Sequence, residues 1–156
     1  MAITASMVKE LREMTGAGMM DCKKALNETN GNMDEAVEFL RKNGEAKAVK
    51  KAGRIAAEGI VMADVVDGKT AAIVEVNSET DFVAKNDEFK DFVANVVKQA
   101  LATSSADMDA FLAETWVADA SQTVKDALVA KIARIGENLN IRRFEKLTSD
   151  GCIVSY

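Results

Sequence analysis

Residues 60–76 read IVMADVVDGKTAAIVEV, in which two apolar runs flank a turn signal. The central Asp67-Gly68 pair supplies the positive φ angles that a tight hairpin turn requires. The flanking runs, 60–66 and 71–76, are rich in β-branched residues, which favour strands. Alternation along the second run places one set of side chains toward a core: Ala72, Val74 and Val76. This segment therefore predicts an antiparallel β-hairpin with one buried face.

A short segment, NSETDFVAKN, follows the hairpin at residues 77–86. Asn86 is a favourable N-cap, and the acidic pair Asp87-Glu88 suits the positive end of a helix dipole. We therefore expect a helix to start after Asn86, which leaves Phe82 on a loop. Two interpretations of its ring stay open. The ring folds back on the helix or hairpin as a hydrophobic staple, or it is presented to a partner.

Three helices and then two strands are predicted beyond this loop. The first helix has an apolar stripe of Phe89, Phe92, Val93, Val96, Val97 and Ala100. A short helix follows with Met108, Phe111 and Leu112, and Trp116 is a packing residue nearby. Ser121 can cap another helix, which carries Val124, Leu128, Ile132 and Ile135 and ends at Gly136. Residues 140–147 then predict a strand, and residues 152–156 resemble a strand that begins and is cut off.

Three short helices are predicted before the hairpin. Thr4 or Ser6 caps the first helix, which has the apolar face Ile3, Met7, Leu11 and Met14 and ends before Gly16. Asp21 caps the second, which buries Cys22, Ala25 and Leu26 and stops at Asn30-Gly31. Asn32 caps the third, which buries Met33, Ala36, Val37 and Leu40 and ends at Asn43-Gly44. A bundle this small has little core and is useful mainly as a docking module.

The fold class predicted by these patterns is α+β. We expect a three-helix bundle over residues 1–44, a connecting helix over 45–55 and an antiparallel sheet packed with helices over 56–156. Residues 1–55 carry ten Lys and Arg against eight Asp and Glu, whereas the remainder carries ten against seventeen. This change in charge agrees with two units.

The turn before the second helix, TGAGMM at residues 15–20, places two thioether side chains beside glycines. Exposed methionine adapts its shape to a partner groove. The spacing leaves two interpretations open: Met19 and Met20 point outward, or both fill the small core of the bundle.

Composition excludes several kinds of chemistry. The chain has no histidine, which removes the usual general base, and its two cysteines, Cys22 and Cys152, are too far apart and too few for a zinc site. We expect both thiols to be reduced and Cys22 to be buried. Asp64 and Glu75 are better explained as surface charges of the hairpin than as a catalytic pair. We therefore expect no enzyme, no cofactor and no metal.

The pattern of charge and hydropathy also bears on partners and location. The basic run Lys47, Lys50, Lys51 and Arg54 is either a nucleic-acid patch or a solvated helix face, and the net charge of −5 favours the second. Arg142 and Arg143 are either ordinary exposed residues or partners in intermolecular salt bridges. The sequence contains neither a secretion signal nor an apolar run long enough for a membrane span, so a cytoplasmic protein is expected.

Three segments closely resemble the bacterial elongation factor Ts family. They are ELREMTGAGMMDCKKAL at 10–26, ETDFVAK at 79–85, and IGEN at 135–138 together with IRR at 141–143. The resemblance implies a bundle like a ubiquitin-associated domain followed by the N-terminal half of the family's α+β core. Because family members continue past residue 152, the chain is expected to be truncated or to complete its sheet through another chain.

The resemblance also implies a function and site residues. Family members are guanine nucleotide exchange factors that promote GDP release from elongation factor Tu. Residues matching Arg12, Met19 and Met20 touch its GTPase domain, and the Thr80, Asp81, Phe82 and Val83 motif enters that domain beside the magnesium and nucleotide site. Ile135 and Gly136 match a neighbouring contact. The runner-up function is a ubiquitin-associated-like module whose Gly18-Met19 turn recognises a different protein.

Overall fold

The structure is a computed structural model that describes residues 2–156. Its helices are α1 (Ala5–Thr15), α2 (Met19–Glu28), α3 (Met33–Lys51), α4 (Asp81–Lys85), α5 (Asp87–Ala102), α6 (Met108–Ala113) and α7 (Val124–Ile135). Its strands are β1 (Glu58–Val66), β2 (Thr70–Ser78), β3 (Thr115–Trp116), β4 (Asp119–Thr123) and β5 (Asn140–Thr148). The predicted α+β class is confirmed.

The chain forms two compact units. One unit runs up to Gly53 and includes Leu128–Glu137, and we call it the helical unit. The other holds Arg54–Ala127 and Asn138–Tyr156, and we call it the sheet unit. Helix α7 contributes residues to both units.

Apolar side chains of α1, α2 and α3 form the core of the helical unit. The buried set is Val8, Leu11, Cys22, Ala25, Leu26 and Ala36. The Thr4 hydroxyl accepts a hydrogen bond from the Met7 amide at 3.2 Å, and Gly16 adopts the left-handed conformation with φ 66°, so both predicted ends of α1 are confirmed. Burial raises the pKa of the Cys22 thiol, and both cysteines are free as expected.

Two predicted details of the first helices are wrong. Met14 is exposed, whereas Val8, which was not predicted to be buried, lies in the core beside Leu11. Helix α2 begins at Met19 rather than after Asp21, since Gly18 has the extended backbone of an N-cap. Asp21 instead lies in the first turn, where its carboxylate accepts a hydrogen bond from Lys47 Nζ at 2.9 Å.

The predicted end of the third helix at Gly44 is also wrong. Asn32 caps α3 as expected, with its Oδ1 accepting from the Glu35 amide at 3.2 Å, but the helix continues to Lys51. The predicted connecting helix is therefore largely the C-terminal part of α3. A Cβ added at Gly44 would lie 3.4 Å from Val129 Cγ1, so the glycine permits close packing within the helical unit. That packing outweighs the cost of about 1 kcal/mol for glycine inside a helix.

Three antiparallel strands in the order β1-β2-β5 form the main sheet of the sheet unit. The turn residues Asp67 and Gly68 have φ angles of 54° and 62°, which confirms the predicted hairpin turn. Ala72, Val74 and Val76 are buried as predicted, as are the six residues of the α5 stripe. The strand predicted at 140–147 is confirmed as β5.

The region around α7 departs from the prediction. Ser121 lies in β4, which pairs with β3 in a small hairpin that periodicity did not reveal because β3 has only two residues. Thr123 caps the helix instead: its hydroxyl accepts from the Asp126 amide at 3.1 Å, and Asp126 Oδ2 accepts from the Thr123 amide at 3.0 Å. Trp116 is buried and packs against Phe92, as predicted.

The final residues of the chain do not form the predicted strand. In the described structure, residues 152–156 have no regular secondary structure. The Ile153 amide donates a hydrogen bond to the Gly68 carbonyl at 2.7 Å. This bond joins the segment to the hairpin turn rather than to the length of a neighbouring strand, so no ladder is established.

Candidate partner-binding site

Phe82 lies in the first turn of α4, where 82% of the residue is exposed. The loop predicted here is instead a five-residue helix, because the Thr80 hydroxyl accepts from the Val83 amide at 3.4 Å and caps it. Asn86 ends α4 and also caps α5, as predicted. The hydrophobic-staple interpretation of Phe82 is wrong, since a stapled ring would be covered.

The exposure of Phe82 leaves a large apolar side chain available for an interface. Burying a phenylalanine side chain stabilises a protein or a complex by about 1.5–3 kcal/mol. Aromatic residues that enter a desolvated pocket are typical hot spots of protein interfaces. In this protein that apolar area is unused by the fold.

An ion pair stabilises α4 next to this ring. Lys85 Nζ donates to Asp81 Oδ2 at 2.6 Å across one helical turn. The hydrogen bond from Lys85, together with its charge, lowers the pKa of the Asp81 carboxyl, and the same contact raises the pKa of Lys85. Asp81 is therefore a carboxylate at neutral pH.

A hydrogen bond from the end of strand β2 supports the start of α4. The Ser78 side chain is completely buried, and its hydroxyl donates to the Thr80 carbonyl at 3.0 Å. One residue earlier, Asn77 Nδ2 donates to the Glu58 carbonyl of β1 at 3.3 Å. Ser78 thus attaches the cap of α4 to the end of β2, and Asn77 ties the end of β2 to β1, so the backbone that carries Phe82 is anchored.

A second exposed apolar surface lies in the helical unit. Met19 and Met20 are 56% and 76% exposed in the first turn of α2, so they do not fill the core. Arg12 is also exposed, near the end of α1. Because the resemblance described above implies that these three residues bind a partner, we call them the docking patch. Its two thioethers are flexible and polarisable, which suits adaptable contact with a partner groove.

Ile135 and Gly136 lie at the end of α7, in the same unit as the docking patch. Ile135 is partly buried, whereas Gly136 is exposed and has a φ of 85°. The neighbouring Arg134 donates from Nη1 to the Gly16 carbonyl at 2.8 Å. This bond ties the end of α7 to the turn that precedes Met19. No pattern in the sequence distinguishes Arg134, because it joins residues that are far apart along the chain.

Several charged residues considered from the sequence are paired within the protein. Arg142 Nε and Arg143 Nε lie 3.7 Å and 2.7 Å from the Glu75 carboxylate. A bulge in the β2–β5 register between Glu75 and Val76 brings two consecutive arginines to one carboxylate. Hydrogen bonding from Asn77 and Arg143, with the charges of both arginines, lowers the pKa of Glu75.

The basic run Lys47, Lys50, Lys51 and Arg54 is also partly paired. Lys47 contacts Asp21, and Arg54 Nη1 lies 3.5 Å from Glu79 Oε1. These ion pairs favour the solvated-face interpretation over a phosphate-binding patch. Among residues 2–156, no group of three or more His, Cys, Asp or Glu residues is arranged to hold a metal ion. Within the same part of the chain, no helix is both long and apolar enough to cross a membrane.

Comparison with known proteins identifies the family. Residues 79–156, half of the chain, match the family model described as Elongation factor TS. The chain belongs to the elongation factor Ts family. The matched half includes the whole of α4 and the end of α7, so Phe82 lies inside the part of the chain that carries the family signal.

Relatives extend the similarity to the helical unit. Elongation factor Ts of Clostridium tetani (strain Massachusetts / E88) is 58% identical over 156 residues, covering 99% of this chain and 51% of the relative. Elongation factor Ts of Hydrogenovibrio crunogenus (strain DSM 25203 / XCL-2) is 57% identical over 157 residues, covering 100% of this chain and 53% of the relative. The chain spans about half the length of these curated relatives.

Proposed function

We propose that this chain is a guanine nucleotide exchange factor of translation elongation, which binds GDP-bound elongation factor Tu and promotes GDP release. The observation that carries the proposal is the exposed Phe82 on the anchored helix α4, inside the segment that matches the elongation factor Ts family. The factor makes and breaks no covalent bond and uses no cofactor of its own.

The docking patch supplies affinity in this proposal. Arg12, Met19 and Met20 contact a helix of the GTPase domain, and the thioethers adjust to its surface. Ile135 and Gly136 add a secondary contact. Burial of the two exposed methionines on the partner is favourable because it removes apolar surface from water.

The segment Thr80–Val83 supplies the nucleotide-release step, and we call it the wedge. Thr80 caps the helix, Asp81 and Lys85 stabilise it, and Phe82 with Val83 enters the GTPase domain beside its magnesium and nucleotide site. If the nucleotide-free partner binds the factor more tightly than the GDP-bound partner does, GDP binds the complex more weakly by the same ratio. A coupling of about 3 kcal/mol corresponds to roughly 150-fold weaker nucleotide binding.

The test is release of a fluorescent GDP analogue from elongation factor Tu, with and without the chain. We expect the wild-type chain to accelerate release and the Phe82→Ala variant to lose the acceleration while still binding the partner. Ile55→Ala is the matched control, because Ile55 is an apolar residue of the same unit that is 85% exposed.

Two outcomes contradict the proposal in different ways. Binding without acceleration by the wild-type chain would favour the simple docking module. Equal acceleration by wild type and Phe82→Ala would show that release does not depend on the wedge.

A further inference from the structure

We infer that Glu79 is a positioning residue that holds the wedge in the orientation needed for GDP release. The inference rests on the proposed function, since it concerns the residue immediately before Thr80. Glu79 does not belong to the wedge, and it acts through the backbone that carries Phe82.

The Glu79 carboxylate joins three segments of the sheet unit. Its Oε1 accepts a hydrogen bond from the Asn138 amide at 2.6 Å. The same oxygen lies 3.5 Å from Arg54 Nη1. Asn138 Nδ2 in turn donates to the Arg54 carbonyl at 2.8 Å. Residues 54, 79 and 138 therefore form a closed set of contacts, although they are remote from one another along the chain.

The bond to the Asn138 amide is the main contact in this set. The Glu79 side chain is only 22% exposed, and a carboxylate that accepts from a backbone N–H makes a strong, charge-assisted hydrogen bond. The ion pair with Arg54 contributes less, because the arginine side chain is more than half exposed and solvent screens it. The inference therefore concerns the acceptor oxygen of Glu79 more than its charge.

Because Glu79 lies just before α4, loss of its side-chain contacts is expected to change the orientation of the helix that carries Phe82. Helix α4 has only five residues, and so short a helix is not stable by itself. Ser78 fixes the Thr80 carbonyl from one side, and Glu79 fixes the backbone between them through its side chain. Without the Glu79 contacts, the start of α4 would lose one of the side-chain attachments that orient its cap, beside the hydrogen bond of Ser78.

Two variants of the full chain separate positioning from folding. Glu79→Ala removes the acceptor oxygen, whereas Glu79→Gln keeps an oxygen that can accept from the Asn138 amide and removes the charge. Glu145→Ala is the matched control, because Glu145 is an exposed carboxylate of the same unit. For each protein we would measure the maximal GDP-release rate, the factor concentration that gives half of it, the unfolding midpoint and deuterium uptake by α4.

We expect Glu79→Ala to lower the maximal release rate by about fivefold or more, because the part-buried Asn138 backbone N–H loses its acceptor and α4 is held less firmly. The half-saturating concentration should stay within about twofold of wild type, because the docking patch is intact, and deuterium uptake by residues 80–85 should rise. Glu79→Gln keeps a weaker, neutral acceptor, so its rate and uptake should lie between those of Glu79→Ala and wild type and nearer to wild type.

Three results would overturn the inference. The first is wild-type rate and uptake in Glu79→Ala. The second is a rate that falls only together with the unfolding midpoint. The third is a half-saturating concentration that changes as much as the maximal rate. If the wild-type chain does not accelerate release at all, the proposed function fails, and uptake alone decides whether Glu79 positions α4: a rise supports that role, and no rise refutes it.

Discussion

The two exposed apolar surfaces of this chain have similar exposure but different support. Met20 and Phe82 each lie in the first turn of a helix, and most of each residue is exposed. Helix α2 is held by an apolar core of six buried residues, whereas α4 is held by polar side chains at the end of β2. Apolar packing fixes where α2 lies without constraining its flexible thioethers. Directional hydrogen bonds instead hold the backbone at the start of α4, from which the Phe82 ring projects.

This difference suggests that the two surfaces have different roles in binding a partner. A methionine side chain has three rotatable bonds beyond its Cα and adapts to a groove, so it supplies affinity with little geometric demand. A phenylalanine side chain has only two rotatable bonds, so on an anchored backbone it has fewer conformations than methionine and can favour one conformation of a partner over another. The comparison therefore predicts that changes beneath Phe82 and changes at Met20 have effects of different kinds.

The largest effect is expected on the free energy of unfolding, at a position in β1 that has no room for a side chain. Gly59 of β1 has a φ of 145°, and a Cβ there would lie 2.2 Å from the Val76 carbonyl oxygen. Gly59→Ala should lower the free energy of unfolding by about 4 kcal/mol, the combined cost of backbone strain and steric overlap. Urea unfolding followed by fluorescence of Trp116, the single tryptophan of the chain, measures this effect within the sheet unit.

Gly53→Ala is the control for this substitution. A Cβ at Gly53 meets nothing within 4 Å. Its unfolding free energy should stay within about 0.5 kcal/mol of wild type, as for other surface changes. If Gly59→Ala were as stable as Gly53→Ala, strand β1 would accommodate the added methyl group. That result would contradict the proposed difference between the firmly held α4 and the adaptable docking patch.

An intermediate effect is expected at the docking patch. Met20→Ala should weaken binding to GDP-bound elongation factor Tu by about 1–2 kcal/mol, because the truncated side chain buries less apolar surface. The maximal rate of GDP release at saturating factor should not change, and folding stability should stay within about 0.5 kcal/mol. Calorimetric titration and the release assay measure the two quantities.

Val49→Ala provides the matched exposed apolar position in the helical unit. It should leave both affinity and rate unchanged. If Met20→Ala instead lowered the maximal rate and left the affinity unchanged, the assignment of affinity to the methionines and nucleotide release to Phe82 would be reversed.

The smallest effect is expected from the ion pair within α4. The folded-state pKa of Asp81 is lowered, so its contribution to helix stability is fully present above the ordinary aspartate pKa of 3.8. That contribution is lost as pH falls through the lowered pKa. Carboxyl NMR titration of Asp81 should show a midpoint below 3.8, and Lys85→Gln should move it upward. An unchanged Asp81 midpoint in Lys85→Gln would show that the ion pair does not stabilise the wedge.

Local chemistry allowed much of this fold to be predicted. Thr4, Asn32 and Asn86 cap helices as their side chains indicate, because an N-cap needs only one oxygen and the next turn of backbone. The positive φ angles of Asp67 and Gly68 likewise follow from a dipeptide. Failures occurred where distant residues intervene. Gly44 continues a helix because Val129 packs against it, and Ser121 joins a strand because β3 pairs with β4.

Some features of the candidate site could likewise be predicted from the sequence, and others could not. Arg12, the methionine pair and the motif around Phe82 were found from the sequence, since a family motif is a local string of residues. Their roles at a partner stay proposals. Neither the exposure of Phe82 nor the outward direction of Met19 and Met20 followed from periodicity, because both depend on which face of a short helix the rest of the unit covers.

The sequence by itself therefore determined the α+β class, the caps at Thr4, Asn32 and Asn86, the hairpin turn and the family, since these depend on short-range backbone preferences and on motif identity. Only the tertiary structure decided that Phe82 is exposed and that Glu79 meets Asn138 and Arg54. The physical reason is that solvent exposure and hydrogen bonds between remote segments are properties of the folded packing, which brings together residues whose separation along the chain carries no signal.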